Sequence, residues 1–259
     1  MRRARDLLAP LLACALAPAS AYAAPTAHLH VAFNPDQLGA STNVAFDIRI
    51  DASPGRTPPP LTQLALHYPR DLGLAVSGLG LDTCSQQTLE ALGPQRCPAN
   101  SHMGQGSALA EIQFGQEVVP ETAELSIVRA PEQGGHIGLL FYAYARAPVS
   151  TEVAFPGQLL PAPPPHDESI NITVPLVPAL PEGPDVALVA LHASFGPRGL
   201  TYYERVHGRL VAYHPQGILL PRICPHRGFA FNATVGFLDG SHSTASTRVP
   251  CPAGHHAGT

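Results

Sequence analysis

Hydrophobic and polar residues alternate with a period of two in several short segments of this chain. The clearest of these segments, residues 44–51, reads Val-Ala-Phe-Asp-Ile-Arg-Ile-Asp. Because successive side chains of a β-strand point to opposite faces, this alternation predicts a half-buried antiparallel strand. The same pattern recurs at residues 29–33, 64–68, 124–127 and 229–235.

Two longer segments, residues 137–145 and 186–195, are apolar on both alternating faces. Each is too short to demand a helix. A strand that is buried on both sides reads as a continuous apolar run, so we expect these two segments to be central strands of the core.

Proline-rich loops separate the predicted strands. Residues 53–60 and 157–166 each contain three consecutive prolines, which cannot donate the hydrogen bonds of a sheet. Together with the strand patterns, they predict an all-β protein folded as an antiparallel β-sandwich, with one large lobe or two small lobes. The stretch near residues 157–168 is the candidate lobe boundary, and a long surface loop within one domain is the alternative.

One short helix is predicted near residues 85–92. Ser85 can serve as its N-cap, because a serine hydroxyl accepts a hydrogen bond from the first helical turn. Gly93 and Pro94 should end it, since glycine suits the position after a helix and proline cannot continue one.

The first 23 residues have the pattern of an export signal. Three arginines precede the apolar residues 7–17, and Ala21-Tyr22-Ala23 has the small residues that a signal peptidase reads. The apolar stretch is about half of the roughly 20 residues that a membrane-spanning helix requires. We therefore predict a signal peptide at 1–23 and a secreted or envelope-associated region at 24–259 without a transmembrane segment.

A lipoprotein is the alternative interpretation of this signal. Residues 11–14 read Leu-Leu-Ala-Cys and loosely resemble a lipobox, in which Cys14 would carry a lipid. The apolar region before this motif would be very short, so we favour cleavage after Ala23.

The charge of the chain argues against a nucleic-acid partner. Removing residues 1–23 takes away three arginines and one aspartate, which changes the formal net charge from −4 to −6. The chain has no lysine, and its arginines are scattered singly, so no basic stripe exists to meet phosphates. We expect no nucleic-acid partner, and a component of the cell envelope is a candidate partner.

Four cysteines lie in the exported region, and an even number there predicts structural disulfides. Four cysteines allow three pairings, which the sequence alone does not distinguish. We expect the local pairs, Cys84 with Cys97 and Cys224 with Cys251. Zinc binding is disfavoured because the chain has no C-x-x-C pair and its cysteine spacings match no zinc ribbon.

The histidines suggest a metal site, although their spacing is weaker evidence for it than the cysteines are for disulfides. His28 and His30 fall on one face of a predicted strand, where a metal ion could bridge them. The spacing identifies no third ligand. His28, His30 and His67 all fall opposite the apolar residues of their strands, where we expect them to be exposed. We therefore assign no metal ligand and no cofactor, and keep an extracellular His-based metal binder as an alternative.

No catalytic motif is found in the chain. It lacks G-x-S-x-G, H-E-x-x-H and the phosphate- and dinucleotide-binding motifs. Residues 240–243, Gly-Ser-His-Ser, contain a nucleophile and a base, but with Asp239 they fit an Asp-Gly hairpin turn. Asp167 and Glu168, adjacent in a proline-rich loop, are expected to be solvated. We assign no catalytic residue, and a hydrolase whose site is assembled from distant loops is the alternative.

Short motifs around the cysteines occur in scattered blocks that together cover about half of the exported region. They are Leu81-Asp82-Thr83-Cys84, Leu89, Leu92-Gly93, Cys97-Pro98, Ser101, Gly104-x-Gly106-x-Ala108, Ile223-Cys224-Pro225, Gly228-Phe229-Ala230-Phe231 and Pro250-Cys251-Pro252. This pattern resembles one that recurs in uncharacterised exported proteins of high-GC Gram-positive bacteria. The resemblance implies a secreted β-sandwich-like protein and carries no activity or site residues.

The sequence therefore favours a non-enzymatic exported protein with a binding or structural role.

Overall fold

The computed structural model describes residues 24–69, 71–146, 150–178 and 185–252. These residues fold mostly into antiparallel strands with one α-helix, which confirms the all-β prediction. The predicted signal peptide, with Cys14, lies outside the described residues. The elements are β1 (Thr26–Asn34), β2 (Ser41–Asp51), β3 (Leu61–Pro69), α1 (Gln86–Leu92), β4 (His102–Phe114), β5 (Glu117–Gln133), β6 (His136–Ala145), β7 (Thr151–Pro161), β8 (His166–Thr173), β9 (Ala187–Phe195), β10 (Tyr202–Val206), β11 (Arg209–Tyr213), β12 (Ile218–Leu219), β13 (Phe229–Phe237) and β14 (His242–Val249), with short 3₁₀ turns at Pro94–Arg96 and Ala99–Ser101.

The strands join into one nearly closed, barrel-like sheet, which is not clearly the sandwich that we predicted. Its order is β1-β2-β9-β4-β5-β6-β7-β8-β3-β13-β14, with β12 paired to β2. The two end strands lie beside each other, and the Ala27 amide of β1 donates a hydrogen bond to Ser243 Oγ of β14 at 2.9 Å. A sandwich would require two separate sheets packed face to face, whereas here one continuous ladder of pairs connects β1 to β14.

The predicted strands take their expected places in this sheet. β6 and β9 each lie between two other strands, and β6 is buried on both faces over residues 139–142. The outward face of β9 is only partly buried, with His192 exposed, so β9 is less central than we expected. The apolar residues of the alternating segments are buried in one core: they include Val31, Phe33, Val44, Phe46, Ile48, Ile50, Leu64, Leu66, Tyr68, Leu125, Ile127, Phe229, Phe231 and Val235. The period-two pattern therefore identified the inward face of these strands correctly.

The stretch near residues 157–168 forms the β7–β8 hairpin, in which Pro161 pairs with Glu168. The predicted loop at 157–166 is shorter than we expected, because β7 continues through Pro161 and β8 begins at His166. The three consecutive prolines are thus largely confined to the turn, where no ladder hydrogen bond is needed from them.

One end of the sheet interior is filled by large side chains. Phe33 packs edge-on against Phe229, with ring centroids 5.2 Å apart, and also contacts Phe231. The segment after β3 adds buried leucines at this end: Leu72, Leu74 and Leu79. Aromatic pairs of this kind contribute beyond the apolar area that they bury, so this end is a well-packed core.

Helix α1 covers the outer face of the sheet, as the sequence predicted for residues 85–92. The Ser85 side chain accepts a hydrogen bond from the Thr88 amide, and Gly93 follows the last helical residue with φ of 73°. Leu89 of α1 is fully buried and packs with Val128 of β5 and Leu140 of β6. The helix thus forms a second, smaller core outside the sheet.

The cysteines lie in the two local pairs that we expected. The Cα atoms of Cys84 and Cys97 are 5.2 Å apart, and those of Cys224 and Cys251 are 5.8 Å apart, with the sulfurs at bonding distance. Both separations lie in the normal range for disulfides. The first bond ties α1 to its return loop, and the second ties the segment before β13 to the segment after β14.

Among the described residues, no helix has the length and apolar character needed to cross a membrane.

We predict that Leu89→Ala lowers the free energy of unfolding by about 2–5 kcal/mol, because it leaves a cavity under α1. Leu92→Ala is the matched control, since Leu92 lies on the same helix and is 61% exposed. It should change the free energy by less than about 0.5 kcal/mol. Urea unfolding followed by circular dichroism measures both. Equal destabilisation by the two substitutions would contradict the packing of α1 described above.

Candidate functional site: an apolar cavity

A cavity of about 170 Å³ lies inside the sheet, away from the end that the phenylalanine cluster fills. Eight neighbouring strands, β2 to β9, contribute to its wall, together with residues 174–177 and Val186. Its described lining is apolar except for Glu121 and Thr151. Concave apolar sites with a few polar groups are the usual form of a small-molecule site.

Small side chains at one level of the wall create this cavity. Ala108 of β4 pairs with Ala123 of β5, and Ala123 pairs in turn with Ala145 of β6. We call these three residues the alanine row. Their methyl groups face the interior. At the other end of the sheet, the inward positions carry phenylalanine and leucine instead. At the alanine row the inner face of the sheet is therefore apolar but not filled.

An aromatic floor limits the cavity on the side of the packed core. We define it as Phe46, Phe141, Phe155 and Phe195, all of which line the cavity. The rings of Phe141 and Phe155 stack with centroids 5.6 Å apart, and those of Phe46 and Phe195 meet edge to face at 6.2 Å. Gly157 makes room for this arrangement, because a Cβ atom there would lie only 2.7 Å from the Phe141 ring.

Glu121 is the one charged side chain in the described lining, and only 4% of its surface is exposed. It lies on β5 opposite Ala110, two residues before Ala123. Two residues of a strand span about 7 Å, so Glu121 stands one step beyond the alanine row, on the side away from the aromatic floor. Glutamate is rarely buried this deeply in a folded protein, which makes this position chemically distinctive.

Glu121 is not among the residues that we predicted from the sequence, although the sequence carries a local signal for it. The alternation at residues 124–127 places Leu125 and Ile127 on the inward face of a strand and Glu124 on the outward face. Extending the same alternation by two steps places Glu121 on the inward face together with Ala123. A charged residue at a predicted inward position was therefore the available clue.

The histidines that suggested a metal site lie on the outer surface of the sheet. His28 Nε2 is 3.1 Å from Asp51 Oδ2, and His30 Nδ1 is 3.3 Å from Asp47 Oδ2. His192 of β9 contacts the other oxygen of Asp47. Within the described ranges, no three His, Cys, Asp or Glu side chains are arranged to hold a metal ion.

Asp47 is shared by two imidazoles from neighbouring strands. Partial burial by itself raises the pKa of Asp47, but hydrogen bonds with His192 and His30 outweigh it and hold that pKa below its usual value. Asp47 pairs with His30 on one side and His192 on the other in the strand register. These contacts are cross-strand pairs of an exposed polar surface.

His67 is less exposed than we predicted. Its ring lies 5.6 Å from that of His166 of β8, and the Nδ1 atoms of both rings are buried without a hydrogen-bond partner in the described structure. Burial lowers the pKa of His67. Burial lowers the pKa of His166 as well, and the neighbouring His67 lowers it further.

The polar segments tested for catalysis have structural roles. Asp239 Oδ1 accepts hydrogen bonds from both the amide and the hydroxyl of Ser241, which confirms the predicted turn between β13 and β14. Glu168 was expected to be solvated, but its carboxylate accepts a hydrogen bond from the buried Tyr68 hydroxyl. Burial raises the pKa of Tyr68, and the hydrogen bond to this carboxylate raises it further.

Comparison with protein-family models, curated proteins and solved structures finds no match to this chain.

We predict that the free energy of unfolding falls as the pH is lowered from about 7.5 to 5, partly because of His67 and His166. Their folded pKa values lie below the unfolded value of 6.5, so the unfolded chain takes up protons first as the pH falls. The double variant His67→Gln, His166→Gln should show a smaller decline in urea unfolding over this range. His28→Gln, on the exposed face of β1, is the control. A double variant with the full wild-type decline would refute this assignment.

Proposed function

We propose that this chain is an exported, non-enzymatic protein that binds one small apolar molecule inside its barrel-like sheet. The observation that carries this proposal is the cavity of about 170 Å³ between the aromatic floor and Glu121. An engineered cavity of about 150 Å³ with an apolar lining stays dry and binds benzene. By that comparison, the cavity has room for a single ring or a short alkyl chain.

The energetic cost of the cavity supports a functional role. Protein interiors are normally close-packed, and residual cavities cost about 24 cal/mol per Å³. The cavity of about 170 Å³ leaves apolar wall atoms without packing partners, which lowers the stability of the protein as long as the site is empty. A bound apolar molecule would recover much of that free energy through contacts with the wall.

The polar lining favours binding over catalysis. Glycoside cleavage requires two carboxyl groups, and nucleophilic hydrolysis requires a base beside the nucleophile. The described lining offers one carboxylate, Glu121, and one hydroxyl, Thr151, and it includes no His, Ser or Cys. Binding therefore remains the activity that this interior supports best.

Export rests on two independent features. Residues 1–23 have the pattern of a secretory signal, and both cysteine pairs lie at disulfide distance. Disulfides persist in oxidising compartments, so their presence suits a protein that acts at or beyond the cell envelope. The ligand would then be a molecule met outside the cytosol.

We predict that toluene stabilises the wild-type protein, by about 1.4 kcal/mol at a tenfold excess over its Kd. Ala123→Leu should abolish this effect while keeping or raising the melting temperature, because the larger side chain fills the space beside the alanine row. Ala212→Leu is the matched control, since Ala212 lies on the exposed strand β11. Differential scanning fluorimetry in sealed cells measures all three proteins.

Two results would count against this function. One is the absence of any toluene effect on the wild-type protein near saturation. The other is an equal effect on wild type and Ala123→Leu, which would place toluene elsewhere on the molecule.

A further inference from the structure

We propose that His67 and His166 form a binding site for one transition-metal ion, and that Cu²⁺ is the ion that binds there most tightly. The site lies on the outer face of the sheet, where β3 pairs with β8. The described lining of the apolar cavity includes neither histidine, so this inference is independent of the proposed function.

The strand register places the two imidazoles side by side. His67 of β3 lies between the core residues Leu66 and Tyr68, so its side chain points to the outer face. His166 begins β8 and pairs with Pro69, two residues after His67 in β3. The ring centroids of the two histidines are 5.6 Å apart, with 35° between the ring planes. Both rings therefore share one patch of the outer face.

The Nδ1 atoms of this pair are the groups that a metal ion would bind. Both atoms are buried, and neither has a hydrogen-bond partner within the described part of the chain. A neutral imidazole carries its proton on one nitrogen and a lone pair on the other, so each Nδ1 offers a lone pair when the proton is on Nε2. Because a buried polar atom without a partner is costly, an ion that accepts both lone pairs would stabilise the pair.

The residues beside His67 in the sheet are engaged elsewhere. Ser169, its neighbour in β8, accepts a hydrogen bond from the side-chain amide of Asn171 at 2.6 Å. Asn232, its neighbour in β13, donates from its side-chain amide to Ser246 Oγ at 2.9 Å. A metal ion held between the two imidazoles would therefore displace neither of these hydrogen bonds.

The spacing of the rings and the type of donor fit a transition metal. With metal–nitrogen bonds of about 2.0–2.1 Å, two imidazoles on one ion place their ring centroids about 5–6.5 Å apart, a range that includes the observed 5.6 Å. Imidazole suits copper, zinc and nickel, and the general order of affinity places Cu²⁺ above Ni²⁺ and Zn²⁺. Both residues are only partly buried, so water can occupy the remaining coordination positions.

Isothermal titration tests this site on the full chain, purified without a His tag. At pH 7.5, in a buffer that does not bind metals, Cu²⁺, Ni²⁺ and Zn²⁺ are each titrated into the wild type and into the double variant His67→Gln, His166→Gln. We expect the double variant to bind one Cu²⁺ fewer than the wild type, because both nitrogen ligands are lost. The wild-type site should bind Cu²⁺ at least about tenfold more tightly than Zn²⁺.

The double variant His28→Gln, His30→Gln is the matched control, because it removes two exposed histidines from the outer face of β1. It should bind as many Cu²⁺ ions as the wild type. An unchanged Cu²⁺ stoichiometry in the variant that lacks His67 and His166 would overturn this inference.

A second measurement uses only the wild-type protein and so does not depend on the folding of a variant. Substoichiometric Cu²⁺ broadens the NMR signals of nearby backbone amides in ¹⁵N-labelled protein. We expect the amide signals of His67, His166 and Ser169 to broaden. Broadening confined to β1 or to the C-terminal residues would show that copper binds elsewhere and that this inference is wrong.

Discussion

The near-closure of the sheet is the constraint on which the rest of this structure depends. The antiparallel pairing runs from β1 around to β14, and the Ala27 amide reaches Ser243 across the seam. Because the end strands lie beside each other, the inward side chains share one interior, whose size is set by the strands around it. Large residues fill that interior at one level, and small residues leave it empty at another.

The two ends of the interior differ because the inward residues differ in size. The Phe33, Phe229 and Phe231 cluster packs one end, whereas the alanine row lines the wall at the other. The wall behind the aromatic floor is supported from outside by Leu89 of α1. A backbone that is held by its hydrogen bonds, by closure and by an outer core can keep its shape around a cavity that side chains do not fill.

The sequence predicted the local features well because they depend on neighbouring residues. Alternation identified the inward face at Phe46 and Leu66, and the Ser85 cap located α1. Alternation could not distinguish a nearly closed sheet from a sandwich, since both architectures give the same alternation along each strand. Closure depends on pairings such as β2 with β9 and β3 with β8, which join segments far apart in the chain.

The candidate site was harder to predict for the same reason. Ala108, Ala123 and Ala145 look unremarkable one by one, and they form a row only when three strands take their register. The partial burial of His67 likewise depends on His166, which β8 brings beside it. Glu121 was the exception, because a charged residue at an inward position of its strand can be recognised from the neighbouring residues alone.

A crystal structure of the protein under xenon pressure tests the central claim most directly, because xenon enters dry apolar cavities and is located by its electron density. The account predicts a nearly closed sheet with xenon between the alanine row and the aromatic floor, beside Ala123 and Phe141. A structure in which side chains fill that space, or in which the cavity takes up no xenon, would contradict it.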